Sequence, residues 1–125
     1  MELFDATYTA LDRALGAAGM RQQVLANNLA NVNTPGYQRQ DIIGFDQQLQ
    51  GALDQAKAGD ATALNQISPT VSGDGSVAVR ADGNSVDVDQ EMATLAENNI
   101  RYNALVQLAA KKLDVLKYVI SDGRR

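Results

Sequence analysis

Five oxygen-bearing side chains crowd one short stretch of the chain: Asp82, Asn84, Asp87, Asp89 and Glu91. Carboxylates and amides at that density are the donors a calcium ion takes, but the spacing argues against a calcium loop. Counted from Asp82, Val86 stands where the fifth-position ligand is needed, and the sixth position is Asp87 instead of glycine. A turn at Asp82-Gly83-Asn84 and a helix cap at Asp87 account for the same residues.

Composition removes most other chemistry. Among 125 residues there is no His and no Cys, so imidazole acid–base groups, cysteine nucleophiles, disulfides and the usual zinc and copper ligands are absent. Catalysis would rest on carboxylates, Ser or Lys, and these are scattered as caps and exposed charges with no convergence in one site. No enzyme, metal, cofactor or small-molecule substrate is expected. A net charge of −4 provides no basic face for phosphate, which excludes nucleic acid as partner. Glu2, Asp5 and Asp12 interrupt the amino terminus where a secretory signal has a basic start and an apolar run, so no cleaved signal peptide is expected. No uncharged apolar stretch reaches the roughly 18 residues of a membrane span, so no direct membrane insertion is expected either.

The strongest local signal is Leu25 to Tyr37, LANNLANVNTPGY, where a helical pattern runs into Asn27, Asn28, Asn31 and Asn33 and then Thr34-Pro35-Gly36. Asparagine tolerates left-handed backbone and bonds its own main chain. Proline disfavours helix at Thr34, and Gly36 suits the positive-φ position of a type II turn. Asn31, Asn33, Thr34, Pro35, Gly36 and Tyr37 therefore read as a turn that orients whatever follows the helix.

Two seams flank this punctuation. From Phe4 the apolar positions alternate by four and three: Phe4, Tyr8, Leu11, Leu15, Ala18, Gln22, Leu25, Leu29, Val32. From Val88 the same register runs through Val88, Met92, Leu95, Asn99, Tyr102, Val106, Ala109, Leu113, Leu116 and Ile120. Each helix should span roughly 40 to 50 Å. Asp87 with Gln90 fits a capping box at the start of the second.

Both helices carry more apolar surface than one seam hides. Leu3, Ala10, Ala14, Ala17 and Val24 add a stripe to the first, and Ile100, Leu105, Leu108, Val115 and Val119 add one to the second. Either another molecule covers these stripes or the middle segment folds back over them as a small bundle. Gly16 and Gly19, each costing roughly 1 kcal/mol of helix propensity, form a small-residue face with the neighbouring alanines.

Between the helices the seams vanish. Phe45, Leu49, Ala52, Leu53 and Ala56 predict one short helix closed by Gly59. ISPTVSGDGS predicts a loop, and Ser76 to Arg80 alternates like a short strand. Few large apolar residues lie here, so mobility before assembly is expected. The parts are residues 1–33 (first helix), 34–86 (irregular linker) and 87–121 (second helix).

Arg21 to Ile42, RQQVLANNLANVNTPGYQRQDI, resembles the amino-terminal signature of the bacterial flagellar basal-body rod protein family. Asp82 to Ile120 resembles the matching carboxy-terminal segment of its proximal-rod members. The short middle also fits those members, because distal rod and hook subunits insert a large β-rich domain there. The resemblance implies a mainly α fold in which the terminal heptad helices form an antiparallel coiled coil, joined by an irregular segment with one short helix and little β. It implies a structural subunit that polymerises with copies of itself and other rod proteins into a hollow axial tube needed for motility. It further implies export through the flagellar type III apparatus to the periplasmic rod of the basal body, past the export gate and adaptor ring. Phe45 and Leu49 match the phenylalanine-plus-aliphatic motif that such a gate reads. With the helices antiparallel, Phe4 should lie near Ile120, Leu15 near Ala109 and Leu29 near Leu95, with Gln22 within a turn of Asn99. The rival reading is a coiled-coil adaptor that does not polymerise.

Overall fold

The chain ends supply the helices and the middle supplies the packing between them. A computed structural model describes residues 2–122, with side chains from Asp5 to Asp122. Helix α1 covers Glu2–Ala30, a rod about 43 Å long. Strand β1 (Gln40–Ile42), helix α2 (Phe45–Lys57), helix α3 (Ala63–Gln66) and strand β2 (Val71–Gly73) follow, before helix α4 at Val88–Asp122. The side chains of Leu3 and Phe4 lie outside the described residues, and with them the expected pairing of Phe4 with Ile120.

The long helices run antiparallel. As α1 advances from Gln22 to Asn28, its partners on α4 descend from Asn98 to Glu91. The register is shifted by about one helical turn from the one that sets Leu29 beside Leu95. It brings Asn98, not Asn99, onto Gln22. Asn99 faces solvent.

That one-residue rotation reassigns the whole inner face of α4. Glu91, Leu95, Asn98, Leu105, Ala109 and Lys112 are buried or half-buried, at steps of three, four and, across the exposed Tyr102, seven residues, while Met92, Asn99, Tyr102, Val106, Leu113, Leu116 and Ile120 are exposed. The expected pairing seam and the observed one share Leu95 and Ala109. The helix is apolar around much of its girth, so two heptads offset by one residue can be read on it, the more apolar one through Met92, Asn99 and Leu113. The polar one pairs with α1 because Glu91 and Asn98 find hydrogen-bond partners there.

The middle segment covers the second stripe of α1. Ala6 and Ala10 pack with Ala52 of α2 and Leu64 of α3, surrounded by Leu49, Leu53, Ala56 and Ile67. Ala17 and Val24 are also buried. These residues are small because two helices and a loop approach one face of α1 closely. The corresponding stripe of α4 stays open. The middle segment thus covers α1, and among the described residues none covers Ile100, Leu108, Val115 or Val119 of α4.

Strand pairing differs from the expectation. The alternating Ser76 to Arg80 is not a strand. Instead β1 pairs antiparallel with β2, Asp41 opposite Ser72, at residues with no apolar alternation. Side chains around Arg39, described below, hold this two-stranded patch in place. α3 is a further element without a sequence signal, a single turn made by burial of Leu64. α2 ends as its Gly59 predicts: the N–H groups of Gly59 and Asp60 return to the carbonyls of Ala56 and Gln55, closing a Schellman motif. Asp87 caps α4 by accepting the N–H groups of Asp89 and Gln90 at 2.9 and 3.2 Å.

Candidate functional site

At the end of α1 the chain must satisfy the helix's last carbonyls and turn away. Asn31 N–H and side-chain Nδ2 both donate to Asn27 O, and Val32 N–H donates to Leu29 O. Tyr37 N–H then donates to Thr34 O across Pro35-Gly36, with Gly36 at φ +76 as a type II turn requires. Among the described residues no asparagine has positive φ. The asparagines therefore act through their amides, not through left-handed backbone.

The carbonyls beyond the helix are met from fifty residues away. Asn84 Nδ2 donates to the carbonyls of Asn31, Val32 and Thr34 at 2.8 to 3.2 Å, and the Arg80 guanidinium also donates to Val32 O. Backbone bonds continue the join: Gly36 N–H to Asp82 O, Ser85 N–H to Tyr37 O, and Arg39 N–H to the Ser85 hydroxyl at 2.7 Å. The two segments run so close that a Cβ on Gly83, itself at φ +81, would lie 3.3 Å from Gly36 Cα. Glycine at both positions permits this crossing.

Inside the crossing lies a buried polar network. Asn28 pins β1 with its amide: Nδ2 donates to Gln40 O at 2.7 Å and Oδ1 accepts Gln40 N–H at 3.1 Å. Tyr37 donates its hydroxyl to the same Oδ1, and Nδ2 also reaches Glu91 Oε2 at 3.2 Å. Arg39 holds three carboxylates from three elements: Glu91 of α4 through Nε, Asp74 just after β2 through Nη1 at 2.6 Å, and Asp41 of β1 through Nη2 at 3.3 Å. Arg21 of α1 clamps Asp41 with both arms of its fork, at 2.8 and 2.9 Å.

These contacts set the titration of the group. Burial alone would raise the Asp41 carboxyl, but the Arg21 hydrogen bonds, the Ile42 N–H and the Arg39 charge hold it below its ordinary value. The Ser76 hydroxyl, with Arg39, lowers Asp74. The bond to Asp41 raises Arg21; burial alone would lower Arg39, but Glu91 and Asp41 together raise it. Burial and then the Glu91 charge raise the Tyr37 phenol. The shifts at Arg21, Arg39, Asp41 and Asp74 all favour their charged forms, which is structural chemistry. Breaking such a buried pair from one side costs about 3–5 kcal/mol, while an intact pair mainly fixes register.

The acidic run from Asp82 to Glu91 is dispersed by the fold. Asp82 accepts Asn84 N–H, Asn84 Oδ1 accepts Val86 N–H, Asp87 caps α4, and Glu91 is sealed against Arg39 and Asn28. Among the described residues no group of three or more acidic side chains is placed to hold a metal. No helix among them is long and apolar enough to cross a membrane.

Of the seam residues on α1, Leu25 is fully buried, Leu11, Leu15, Gln22 and Leu29 are half-buried, and Tyr8 is exposed. On α4 only Leu95 and Ala109 turn inward. In the turn, Asn31 and Tyr37 are half-buried while Asn33, Thr34, Pro35 and Gly36 face solvent. Phe45 is buried and Leu49 packs on the Ala6–Leu64 cluster. Of the network residues, Arg39 and Asp41 fall inside the Arg21 to Ile42 segment and Ser85 inside the Asp82 to Ile120 segment, Asp74 lies in neither, and none of the four stood out by its own chemistry.

The sequence pattern of the family described as "Flagella basal body rod protein" matches residues 9–38, the seam of α1 and the turn just described. A protein of Bacillus subtilis (strain 168), "Flagellar basal body rod protein FlgB", is 33% identical over 138 aligned positions that cover 99% of this chain and all of that protein. The chain belongs to the FlgB family of flagellar basal-body rod proteins. FlgB of Escherichia coli (strain K12) is 27% identical across 98% of the chain and 99% of its own length, and FlgB of Borrelia hermsii 26% across 96% and 99%. FlgB-family membership supports a structural role in the flagellar basal-body rod. Arg39, Asn28 and Glu91 are there to hold a shape.

Proposed function

We propose that this chain is a subunit of the proximal rod, which polymerises with copies of itself and neighbouring rod proteins into a hollow axial tube. The single observation that carries this reading is α4. Ile100 is 72% exposed and Ile120 68%, and Leu108, Val115, Leu116 and Val119 lie open between them. An apolar stripe of that length on a single subunit marks an interaction surface, and its burial stabilises an assembly by about 25 cal/mol per Å². Met92, Asn99, Tyr102 and Leu113, unused by α1, extend that surface, so the outward heptad is the subunit-packing seam. The turn at Asn31 to Tyr37 sets the angle at which the middle segment leaves the tube-forming helices.

The chain reaches the rod unfolded through the flagellar export apparatus. Phe45 and Leu49 are packed away in the folded subunit, so an export gate would read them only from an unfolded chain. Marginal helix propensity at Gly16 and Gly19 favours that state.

The test is replacement in the cells that carry this chain. Ile100→Asp lies on the open face, so the purified variant should keep the helical content and melting temperature of the parent. Cells carrying it should lose rods in electron micrographs and cease to swim. Swimming that survives the change would sink the packing role of α4. A discrete oligomer that stays the same size when other rod proteins are added would favour a non-polymerising adaptor.

A further inference from the structure

The two heptads of α4 share Leu95 and Ala109 and part at four places. The inner one carries Glu91, Asn98, Leu105 and Lys112, and the outer one Met92, Asn99, Val106 and Leu113. Asparagine stands against asparagine and leucine against valine, so those two places do not choose between the heptads. Glu91 against Met92 and Lys112 against Leu113 both favour turning the outer heptad onto α1. Tyr102 adds to that preference, since the observed register leaves it 41% exposed. Apolar burial therefore opposes the register that the subunit adopts.

A polar contact must outweigh it, and the inner face offers three polar residues. Asn98 is buried and donates from Nδ2 to Ala18 O and Gln22 Oε1, both at 2.9 Å, but its Oδ1 has no partner. An acceptor stranded in the interior offsets much of what those bonds contribute. Lys112 is half-buried, and a lysine stem packs against apolar neighbours without burying its ammonium. Glu91 differs from both. It is fully buried with each carboxylate oxygen engaged, Oε2 by Asn28 Nδ2 at 3.2 Å and Oε1 by Arg39 Nε. Turning the outer heptad inward breaks both bonds and takes one carboxylate from a guanidinium that is itself buried.

We propose that Glu91 is the lock that fixes the rotation of α4 and keeps its more apolar heptad outward. A buried polar group that fixes helix register at a cost in stability acts in this way. Without the lock α4 turns about its axis by roughly 50°, half the angle between successive residues, with Leu95 and Ala109 still inside. The lock belongs to the single subunit. Its use, an apolar seam held open for neighbours instead of folded away, rests on the rod-subunit reading.

The chain has no cysteine, so single introduced thiols report the rotation. In the full-length parent, Val106→Cys on the exposed outer heptad should react with a maleimide about tenfold faster than Leu105→Cys on the half-buried inner one. Glu91→Met should reverse that order, to about threefold in favour of position 105. So should Arg39→Met/Glu91→Met, which removes the stranded guanidinium and keeps the chain folded if the single variant does not. Asn98→Leu should leave the parent's order. An unchanged order in the double variant, a reversed order in Asn98→Leu, or a double variant without the parent's helical circular dichroism would each overturn the lock. Cells carrying the double variant judge the rod reading separately. Reversed thiols with normal swimming leave the lock and remove the packing role of the outer heptad, while thiols in the parent's order remove the lock and leave the rod reading.

Discussion

Asn28 and Glu91 are 63 residues apart on different helices, both fully buried, and joined by a hydrogen bond of 3.2 Å from Nδ2 to Oε2. Around this pair the chain ties α1, β1 and α4 into one joint: the same amide holds the backbone of Gln40, and the same carboxylate holds Arg39. A helix end that reads in sequence as punctuation is the meeting point of the whole subunit.

Replacing Asn28 by Ala should strand the Gln40 N–H and C=O and remove one partner of Glu91 and of Tyr37. With about 1–3 kcal/mol for a buried group left unpaired, a loss near 3 kcal/mol is expected. Asn28→Asp should be worse, because it sets a second carboxylate against Glu91. Urea unfolding of the isolated subunit measures both. An Ala variant within 0.5 kcal/mol of the parent, or an Asp variant more stable than the Ala one, would contradict the joint as described.

Acid should loosen the same joint. Asp41 and Asp74 both have folded values below their unfolded ones, so the stability they contribute is complete above the ordinary carboxylate range and drains as pH falls through the lowered values. Tyr37, raised in the folded state, gives the other edge: its contribution is complete below the ordinary phenol value near 10 and lost as pH rises beyond it. A flat plateau from about pH 5 to 9 is expected, and Asp74→Asn should reduce the slope on the acid side. Melting temperature against pH would refute this if the Asn variant kept the full acid slope.

The crossing of Gly36 and Gly83 should tolerate no side chain. Gly83→Ala places a Cβ 3.3 Å from Gly36 Cα on a backbone at φ +81, and Gly36→Val forces a β-branched residue to φ +76. Each should cost about 1–3 kcal/mol and misdirect the chain leaving α1, with the helix itself intact by circular dichroism. Normal rods and swimming in cells carrying Gly36→Val would show that the turn does not orient the subunit.

Gly16 and Gly19 behave oppositely in the free subunit. A Cβ at either meets nothing within 4 Å, so Gly→Ala at each should raise monomer stability by about 0.5–1 kcal/mol. A neighbouring helix seated against that face would be pushed away. The expected combination is a higher melting temperature with impaired rod assembly; a higher melting temperature with normal rods would show that no neighbour comes close there.

Much of this was legible in the residues. Alternation by four and three marked both long helices, Asp87 marked the start of α4, Gly59 the end of α2, and Pro35-Gly36 the type II turn. Each is a local rule, decided by a residue's own backbone preference or by neighbours within one helical turn. The absence of His and Cys narrowed the chemistry in the same direct way.

What the sequence could not decide is which face of α4 meets α1. Two heptads offset by one residue are written on that helix, and hydrophobicity alone favours the one through Met92, Asn99 and Leu113. The fold buries Glu91 and Asn98 instead, because Arg39, Asn28, Gln22 and the Ala18 carbonyl, brought there from α1 and β1, offset the cost of removing them from water. Those partners are up to 80 residues away in the chain. The strand at Val71–Gly73 has the same origin, since Asp74 and Arg39 fix it and its own composition does not. The chain by itself determined its three longer helices and where they start or stop; only the tertiary structure, by supplying partners for buried polar groups, determined the short elements between them and which faces turn inward, and so which apolar stripe is left exposed.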